Sequence, residues 1–195
     1  MDNAAACLRW LTLHNLKDGH RASAIISRIR ALMRKVPMRK DWMDMNETIR
    51  DILVFIRPEL EAHHEDIETH LHDDVHAIWG DRIQIQQVML NLAMNVMEAM
   101  DGINETCRWL VIESQKHDAG HISITAWDSG PGIAVSTLDR MFEAFYSTKP
   151  QGLGMGLAIS HSIIEVHDGR LWTAMNEGCG ATFTFTLPLC EEVPA

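Results

Sequence analysis

Residues 81–101 have the pattern of one long helix with two chemically different faces. Side chains at spacings of three and four form an apolar face that would pack on a sheet. Its members are Ile85, Val88, Met89, Leu92, Val96 and Met100. The other face is rich in amides, and its members are Gln84, Gln87, Asn91, Asn95 and Glu98. Amides offer N–H donors and a hard oxygen acceptor, which suits contact with phosphate and magnesium, although a plain solvent-facing stripe would give the same pattern.

Segments on both sides of this helix predict a mixture of strands and further helices. Strands are predicted at 67–71, 108–114, 121–127, 170–174 and 181–187. Helices are predicted from an N-cap at Asn46 to about Pro58, near 138–142, and over 157–167. The last four strands form two antiparallel-looking pairs, and the first of these pairs is joined by a turn at 117–120. The pattern predicts an α+β fold, a two-layer α/β sandwich with helices on one face of a mixed sheet.

The first 41 residues predict a separate short helical hairpin. Residues 3–14 and 18–35 read as two helices, and Pro37 ends the second. Residues 37–42 look like a linker, which places the boundary near residue 42 and gives a compact domain over 42–195.

Composition and charge exclude several classes of function. A net charge of −10 argues against nucleic-acid binding, which needs a basic surface. No apolar run approaches the roughly 18 residues of a membrane span, and Met1–Asn3 do not open a signal peptide. We therefore expect a cytoplasmic chain with no membrane contact of its own, although a longer parent could be anchored. The four cysteines lack metal-site spacing and predict reduced, mostly buried thiols.

The sequence Asp128-Ser-Gly130-Pro-Gly132 directly follows a predicted strand. A carboxylate at this position can accept a hydrogen bond from the amino group of adenine. The two glycines let the backbone pass close to a flat ring without a Cβ in the way. Taken alone, the motif favours an ordinary turn.

A glycine-rich loop, Gly152-Leu153-Gly154-Met-Gly156-Leu157, leads into a predicted helix. Glycine N–H groups followed by a helix N-terminus form an anion cradle. The loop is not a P-loop, because no Gly-Lys-Ser/Thr follows it, and its spacing misses the dinucleotide fingerprint. By itself it is weak evidence.

The order of these elements carries more weight than any one of them. The amide-rich helix, Asp-x-Gly-x-Gly, Phe142-Glu-Ala-Phe145-Tyr-Ser-Thr-Lys149 and Gly-x-Gly-x-Gly match the N, G1, F and G2 boxes. Over roughly residues 43–190 the chain resembles the GHKL ATP-binding fold as used by sensor histidine kinases of two-component systems. The resemblance implies ATP and Mg²⁺ as cofactors.

By this resemblance, Asn95 would bind Mg²⁺ and Asn91 would lie beside the triphosphate. Asp128 would read the adenine amino group, with Gly130 and Gly132 shaping the pocket. In hydrolytic relatives a glutamate occupies the position of Asn91 and activates water, which an amide cannot do. The substitution favours a phosphoryl transferase. Val96 replaces a small alanine of the family and would either narrow the pocket or pack.

The same resemblance assigns the following loop to a mobile lid. Phe142 and Phe145 would anchor it, Lys149 would reach a phosphate, and the glycines would let it close. The loop residues assigned to nucleotide binding are Gly152, Leu153, Gly154, Gly156 and Leu157. Both phenylalanines could equally be ordinary core, and Lys149 a solvated lysine.

The acceptor histidine motif of the family, His-Glu-x-x-x-Pro-Leu, does not occur in the chain. Residues 3–10 resemble the segment after that motif, so the acceptor is expected outside this chain. Expected partners are a response regulator receiver domain and a second copy bound through the N-terminal helices. A non-catalytic nucleotide-binding module and a protein-serine kinase of the same superfamily remain as alternatives. The histidines at 63, 64, 70, 72 and 76 could bind metal adventitiously, but a solvated segment is favoured.

Overall fold

The structure is a computed structural model that describes residues 38–63, 65–75, 77–100, 108–149, 152–176 and 179–189. These residues belong to one compact unit, Met38–Ala195. The predicted N-terminal helices lie outside the described residues, and the hairpin over 1–41 stays a prediction. Within the described ranges, no helix is long and apolar enough to cross a membrane. Cys179 is the one cysteine among the described residues, and it is a free, exposed thiol. The burial of the other three cysteines stays a prediction.

Seven strands and four helices make up the described part of the unit. The strands are β1 (Asp41–Asp44), β2 (Asp66–Leu71), β3 (Ala77–Gly80), β4 (Trp109–Lys116), β5 (His121–Asp128), β6 (Arg170–Met175) and β7 (Ala181–Pro188). The helices are α1 (Met45–Ala62), α2 (Arg82–Met100), α3 (Val135–Leu138) and α4 (Gly156–Val166).

Five of the strands form one mixed sheet in the order β2-β4-β5-β7-β6. β2 runs parallel to β4, and the other three pairings are antiparallel. The α+β fold with a mixed sheet, and the two antiparallel pairs near the end of the chain, are confirmed. β1 and β3 form a separate antiparallel two-stranded sheet.

The hydrophobic core lies between the helices and one face of the sheet. The apolar face of α2 is buried as predicted, and the inward positions of β4, β5 and β7 alternate with outward ones. Residues that meet across this layer include Met89, Leu92, Ala93, Ile112, Ile124, Ala126 and Phe185. This packing turns the amide-rich face of α2 away from the sheet, and Asn91 on that face contacts α4.

The predicted bounds of α1 are wrong at both ends. Its N-cap is Asp44, whose Oδ1 accepts from the Glu47 N–H at 2.9 Å. Asn46 is instead a buried link, because its Nδ2 donates to the His72 carbonyl and its Oδ1 accepts from the Ser114 hydroxyl. α1 also continues past Pro58 to Ala62. Pro58 removes the N–H that would bond to the carbonyl four residues earlier, and both it and that residue lie on the exposed face.

Two other segments differ from the sequence-based prediction. Strand β1, Asp41–Asp44, begins within the predicted linker over 37–42, and neither it nor its partner β3 was predicted. Trp42 and Trp79 pack edge to face across this pair with ring centroids 5.4 Å apart. The predicted helix near 138–142 lies earlier, at Val135–Leu138, and turns follow it.

Candidate functional site

Hydrogen bonds of Asp81 hold the start of α2 and connect it to two other segments. The Asp81 carboxylate caps the helix by accepting from the N–H groups of Ile83 and Gln84, at 3.1 and 3.2 Å. It also accepts from the Arg39 N–H at 3.1 Å. The Asp81 N–H donates to Nε2 of His167 at 2.9 Å, which ties the start of α2 to the end of α4. The amide stripe therefore begins from a rigid first turn.

Asn91 lies at the contact between α2 and α4 and is only 6% exposed. Its Nδ2 donates to the Gly156 carbonyl at 3.4 Å and to the Ser160 hydroxyl at 3.3 Å. The structure thus brings Asn91 together with Gly156 of the glycine-rich loop. Asn95 follows one turn later and is half-buried. Val96 is fully buried in the core, so its extra bulk packs there.

Asp128 lies at the end of β5 and is 1% exposed. Its Oδ1 accepts from the Gly130 N–H at 2.7 Å. Burial raises the pKa of the Asp128 carboxyl, and hydrogen bonds from the main chains of Gly130 and Ala181 partly oppose that rise. A buried carboxylate with only main-chain donors is suited to accept from a ligand N–H.

The backbone around Asp128 has no room for side chains at several positions. A Cβ on Gly130 would lie 2.7 Å from Asp128 Oδ1 and 3.5 Å from the Ala99 carbonyl near the end of α2. Gly132 has a φ of 78°, and a Cβ there would meet the Gly180 carbonyl at 3.1 Å. The glycines of the Asp128 motif therefore sit against both α2 and the start of β7.

Gly180 was not predicted as a site residue from the sequence, although it packs against Asp128 and Gly132. It has a φ of 82°, and a Cβ on it would overlap the Asp128 carbonyl oxygen. The same carbonyl accepts from Nδ2 of Asn176 at 3.4 Å, and the Thr182 hydroxyl donates to the Asn176 side chain. A further Gly-x-Gly, Gly178-Cys-Gly180, directly before the last strand was the signal that could have found it.

The two phenylalanines of the predicted lid lie in different environments. Phe142 is partly buried against the core, with its ring centroid 5.3 Å from that of His161. Phe145 is 78% exposed, so its side chain provides no anchor in this structure. Its backbone has a φ of 68°, and its N–H donates to the Gly154 carbonyl at 2.9 Å. Gly154 has a φ of 64°, and a Cβ there would overlap the Tyr146 carbonyl.

Lys149 contacts the amide stripe through an ion pair. Its Nζ lies 2.6 Å from Oε2 of Glu98, which is one turn beyond Asn95 on α2. Both side chains are partly exposed. Gly152 donates to the Lys149 carbonyl, and Leu153 is exposed nearby. Leu157, in the first turn of α4, packs against the core.

These contacts place two clusters on the second half of α2. The first consists of Asp128, Gly130, Gly132 and Gly180, against Ala99. The second consists of Asn91 with Gly156 and Ser160. At a rise of 1.5 Å per residue, Asn91 and Ala99 are about 12 Å apart along the helix. The helix thus joins a carboxylate suited to a base with amides suited to phosphates.

The residues present also fit a magnesium ion held mainly by its ligand. In the described ranges, no group of three or more His, Cys, Asp or Glu side chains could hold a metal by itself. The Asn91 nitrogen is engaged with α4, which leaves its hard oxygen, and that of Asn95, as candidate ligands. Mg²⁺ is commonly bound by one or two protein oxygens together with phosphates and water.

Similarity to known proteins identifies an ATPase-type nucleotide-binding domain. Residues 80–191 match the family described as "Histidine kinase-, DNA gyrase B-, and HSP90-like ATPase". The chain is 33% identical over 204 residues to the sensor histidine kinase TmoS of Ectopseudomonas mendocina, covering 97% of this chain and 21% of TmoS. It is 42% identical over 115 residues to the sensor protein FixL of Bradyrhizobium diazoefficiens, covering 59% and 22%.

Solved structures of histidine kinases share the fold. The nucleotide-free catalytic domain of histidine kinase ThkA superposes with a TM-score of 0.69 at 31% identity, covering 77% of this chain and 96% of that domain. ThkA in complex with the response regulator protein TrrA gives 0.77 at 25% identity, covering 96% and 53%.

The chain belongs to the family of histidine kinase-, DNA gyrase B- and HSP90-like ATPases. Within that family it is homologous to sensor histidine kinases of two-component systems. It spans about a fifth of the length of TmoS and FixL, at 21% and 22%.

Proposed function

We propose that this chain binds ATP with Mg²⁺ and transfers the γ-phosphoryl group to a histidine that lies outside the chain. The phosphoryl group would then pass to the receiver domain of a response regulator. The observation that carries the proposal is the amide at Asn91, held by Ser160 and Gly156 where hydrolytic relatives carry a general base. An amide cannot deprotonate water at neutral pH, so the site favours transfer over hydrolysis.

Each cluster has a separate task in this proposal. The Asp128 carboxylate accepts from the adenine amino group, and the close-packed backbones of Gly130, Gly132 and Gly180 hold that carboxylate in place. Asn91 and Asn95 orient the phosphate end through their side-chain oxygens. Mg²⁺, when bound, neutralises charge on the phosphates. Since positioning and charge neutralisation supply most of the catalysis of phosphoryl transfer, no protein nucleophile is needed.

Lys149 adds a positive charge near the same end of α2. In the structure its Nζ lies 2.6 Å from Oε2 of Glu98. We assign it to the γ-phosphate after exchange of that partner, while the glycine loop adds N–H donors.

The partners follow from the relatives. ThkA was crystallised with TrrA, which supports a receiver domain as partner here. A second copy of the chain would bind through residues 1–41. A site that consumes ATP belongs on the cytoplasmic side, whether or not the parent protein is anchored.

The test has a binding step and a transfer step. Calorimetric titration of the 195-residue chain with ATP should show binding that is tighter with Mg²⁺ than with EDTA. γ-Labelled ATP is then supplied with a separate acceptor-helix domain of a sensor kinase. Acid-labile label on the acceptor histidine supports the proposal.

Other outcomes point to the alternatives. Binding without transfer favours a non-catalytic nucleotide-binding module. Acid-stable label on a partner indicates a protein-serine kinase. Absence of binding would contradict the proposal at its first step.

A further inference from the structure

Ser160 is a polar side chain in the apolar interior, on the second turn of α4. It is 0% exposed and contacts Asn91, which is 6% exposed, at 3.3 Å. Helix positions around it, Ile159, Ile163 and Ile164, are apolar and pack in or against the core. A buried hydroxyl in such surroundings is favourable when it satisfies a partner, and here that partner is the Asn91 amide.

The contacts of Asn91 define which way its amide group faces. The Gly156 carbonyl can only accept a hydrogen bond, so the Asn91 atom next to it must be the NH₂ nitrogen. The Ser160 oxygen accepts from the same nitrogen. Both N–H groups of the Asn91 amide are directed at α4. The amide oxygen lies beside Gly156, at a position where this residue has no side chain. A Cβ on that glycine would lie 3.8 Å from Asn91 Oδ1.

We infer that Ser160 is a positioning residue that holds the Asn91 amide with its oxygen toward the phosphate side of the site. The inference rests on the proposed function and adds a residue to it. Ser160 does not touch the nucleotide. It acts by preventing rotation of the Asn91 amide, which would present the NH₂ group to the cation. An oxygen attracts Mg²⁺ or its bound water, whereas an amide N–H repels it.

A purely structural role for Ser160 makes a different prediction. If the hydroxyl only stabilised packing between α2 and α4, its removal would lower the unfolding free energy and leave the magnesium dependence of nucleotide binding unchanged. If it positions Asn91, its removal would reduce the gain in ATP affinity that Mg²⁺ confers. Binding in EDTA, which depends on Asp128, would stay the same.

The experiment compares Ser160→Ala with Ser162→Ala, which removes an exposed hydroxyl from the same helix. The readout is the ratio of the ATP dissociation constants in EDTA and in Mg²⁺, measured by calorimetry on the full chain. We expect Ser160→Ala to lower this ratio about threefold to tenfold, the effect of one lost hydrogen bond. Ser162→Ala should leave it within about twofold. Ser160→Thr, which keeps the hydroxyl, should restore most of the ratio.

A double-mutant cycle isolates the coupling to Asn91. In an Asn91→Ala background, Ser160→Ala should lower the ratio no further. An equal loss in both backgrounds, or a Ser160→Ala ratio matching that of Ser162→Ala, would overturn the inference while leaving ATP binding intact. If the unmodified chain binds ATP no better with Mg²⁺, both the proposed function and the inference are wrong.

Discussion

Around Asp128 the candidate site is buried and closely interlocked, whereas around Lys149 it is exposed and held by side-chain contacts. In the first region, which we call the base region, backbone atoms of Gly132 and Gly180 meet with no space for a Cβ. In the second, the phosphate region, Phe145 is exposed and Lys149 is paired at the surface. Rigid backbone packing suits recognition of one flat base. Surface ion pairs can exchange partners at little cost.

The largest expected effect comes from Gly180→Ala in the base region. A positive φ and overlap with the Asp128 carbonyl should together lower the unfolding free energy by about 2–5 kcal/mol. Urea unfolding followed by tryptophan fluorescence measures it. Gly120→Ala is the control, since a Cβ there lies 3.8 Å from Asp118 Oδ1, an ordinary contact. Its effect should stay within about 1 kcal/mol. Equal stability of the two variants would mean that the base region is not rigid.

Asp128→Asn should separate stability from binding. Burial raises the pKa of Asp128 in the folded state above its usual 3.8. As the pH rises from 3.8 through the folded-state pKa, the unfolding free energy therefore falls, because the carboxyl ionises more readily in the unfolded chain. A neutral amide avoids this cost, so the variant should unfold at pH 7 with an equal or larger free energy. ATP affinity should nevertheless fall about tenfold to a hundredfold, because a charged hydrogen-bond acceptor is lost. Calorimetry and urea unfolding measure the two quantities.

Asp118→Asn is the matched control for that variant. Asp118 is exposed, and the Gly120 N–H, followed by His121, lowers the pKa of its carboxyl. Its substitution should therefore cost some stability at neutral pH and leave ATP affinity unchanged. Loss of stability in Asp128→Asn together with retained affinity would contradict the assignment of Asp128.

A smaller effect on stability is expected from the titration of His167, where the end of α4 meets the start of α2. Burial lowers its pKa below 6.5, and Lys40 adds to this, while the Ile163 carbonyl, Asp81 and Asp168 oppose it. As the pH falls, His167 is therefore protonated in the unfolded chain before it is protonated in the folded one. The unfolding free energy should decrease as the pH drops below 6.5. The slope contributed by one histidine is at most about 1.4 kcal/mol per pH unit.

His167→Gln keeps an acceptor for the Asp81 N–H and cannot be protonated, so it should flatten this slope. His161→Gln, which removes a partly exposed histidine from the same helix, is the matched control. Urea unfolding at pH 7.5 and 5.5 compares them. An unchanged slope in His167→Gln would show that this histidine does not set the acid sensitivity.

The smallest effect is predicted for Glu98→Gln in the phosphate region. Removing the carboxylate frees Lys149 and takes a negative charge away from the phosphates, so ATP affinity should rise about twofold to fivefold. The gain should shrink in high salt, because exposed charges are screened. Glu143→Gln, which breaks the exposed pair with Arg140, is the control and should change affinity less. A decrease in affinity would mean that Glu98 helps to hold the nucleotide.

Much of this site could be predicted because its signals are local. The amide stripe on α2, the Asp128 motif and the glycine loop each lie within one short segment. Spacing along a helix or turn is enough to define them. The resemblance to a known family followed from their order. Asn91 was predicted beside the phosphates, and its partner Ser160 was not, because a serine on an apolar helix gives no sign of what it faces.

The remaining errors involve pairings between distant segments. β1 and β3 have four residues each, and their paired residues are more than thirty positions apart in the sequence. No hairpin turn joins them, so the sequence carries no local signal for the pairing. Asp44 and Asn46 are both good cap residues, and only tertiary contacts with His72 and Ser114 assign Asn46 to the interior. Gly180 acquires its role from Asp128, which is more than fifty residues away in sequence.

The β1–β3 pair has a mechanical consequence for the helix that follows it. β3 leads through a single residue, Asp81, into α2, and the Arg39 N–H binds the Asp81 carboxylate. Tension or torque on the polypeptide at residue 38 would therefore reach the first turn of α2 through the four residue pairs of this one strand pair. Residues 39–44 are thus bonded to the first turn of the helix that carries Asn91 and Asn95, and to the strand that leads into it.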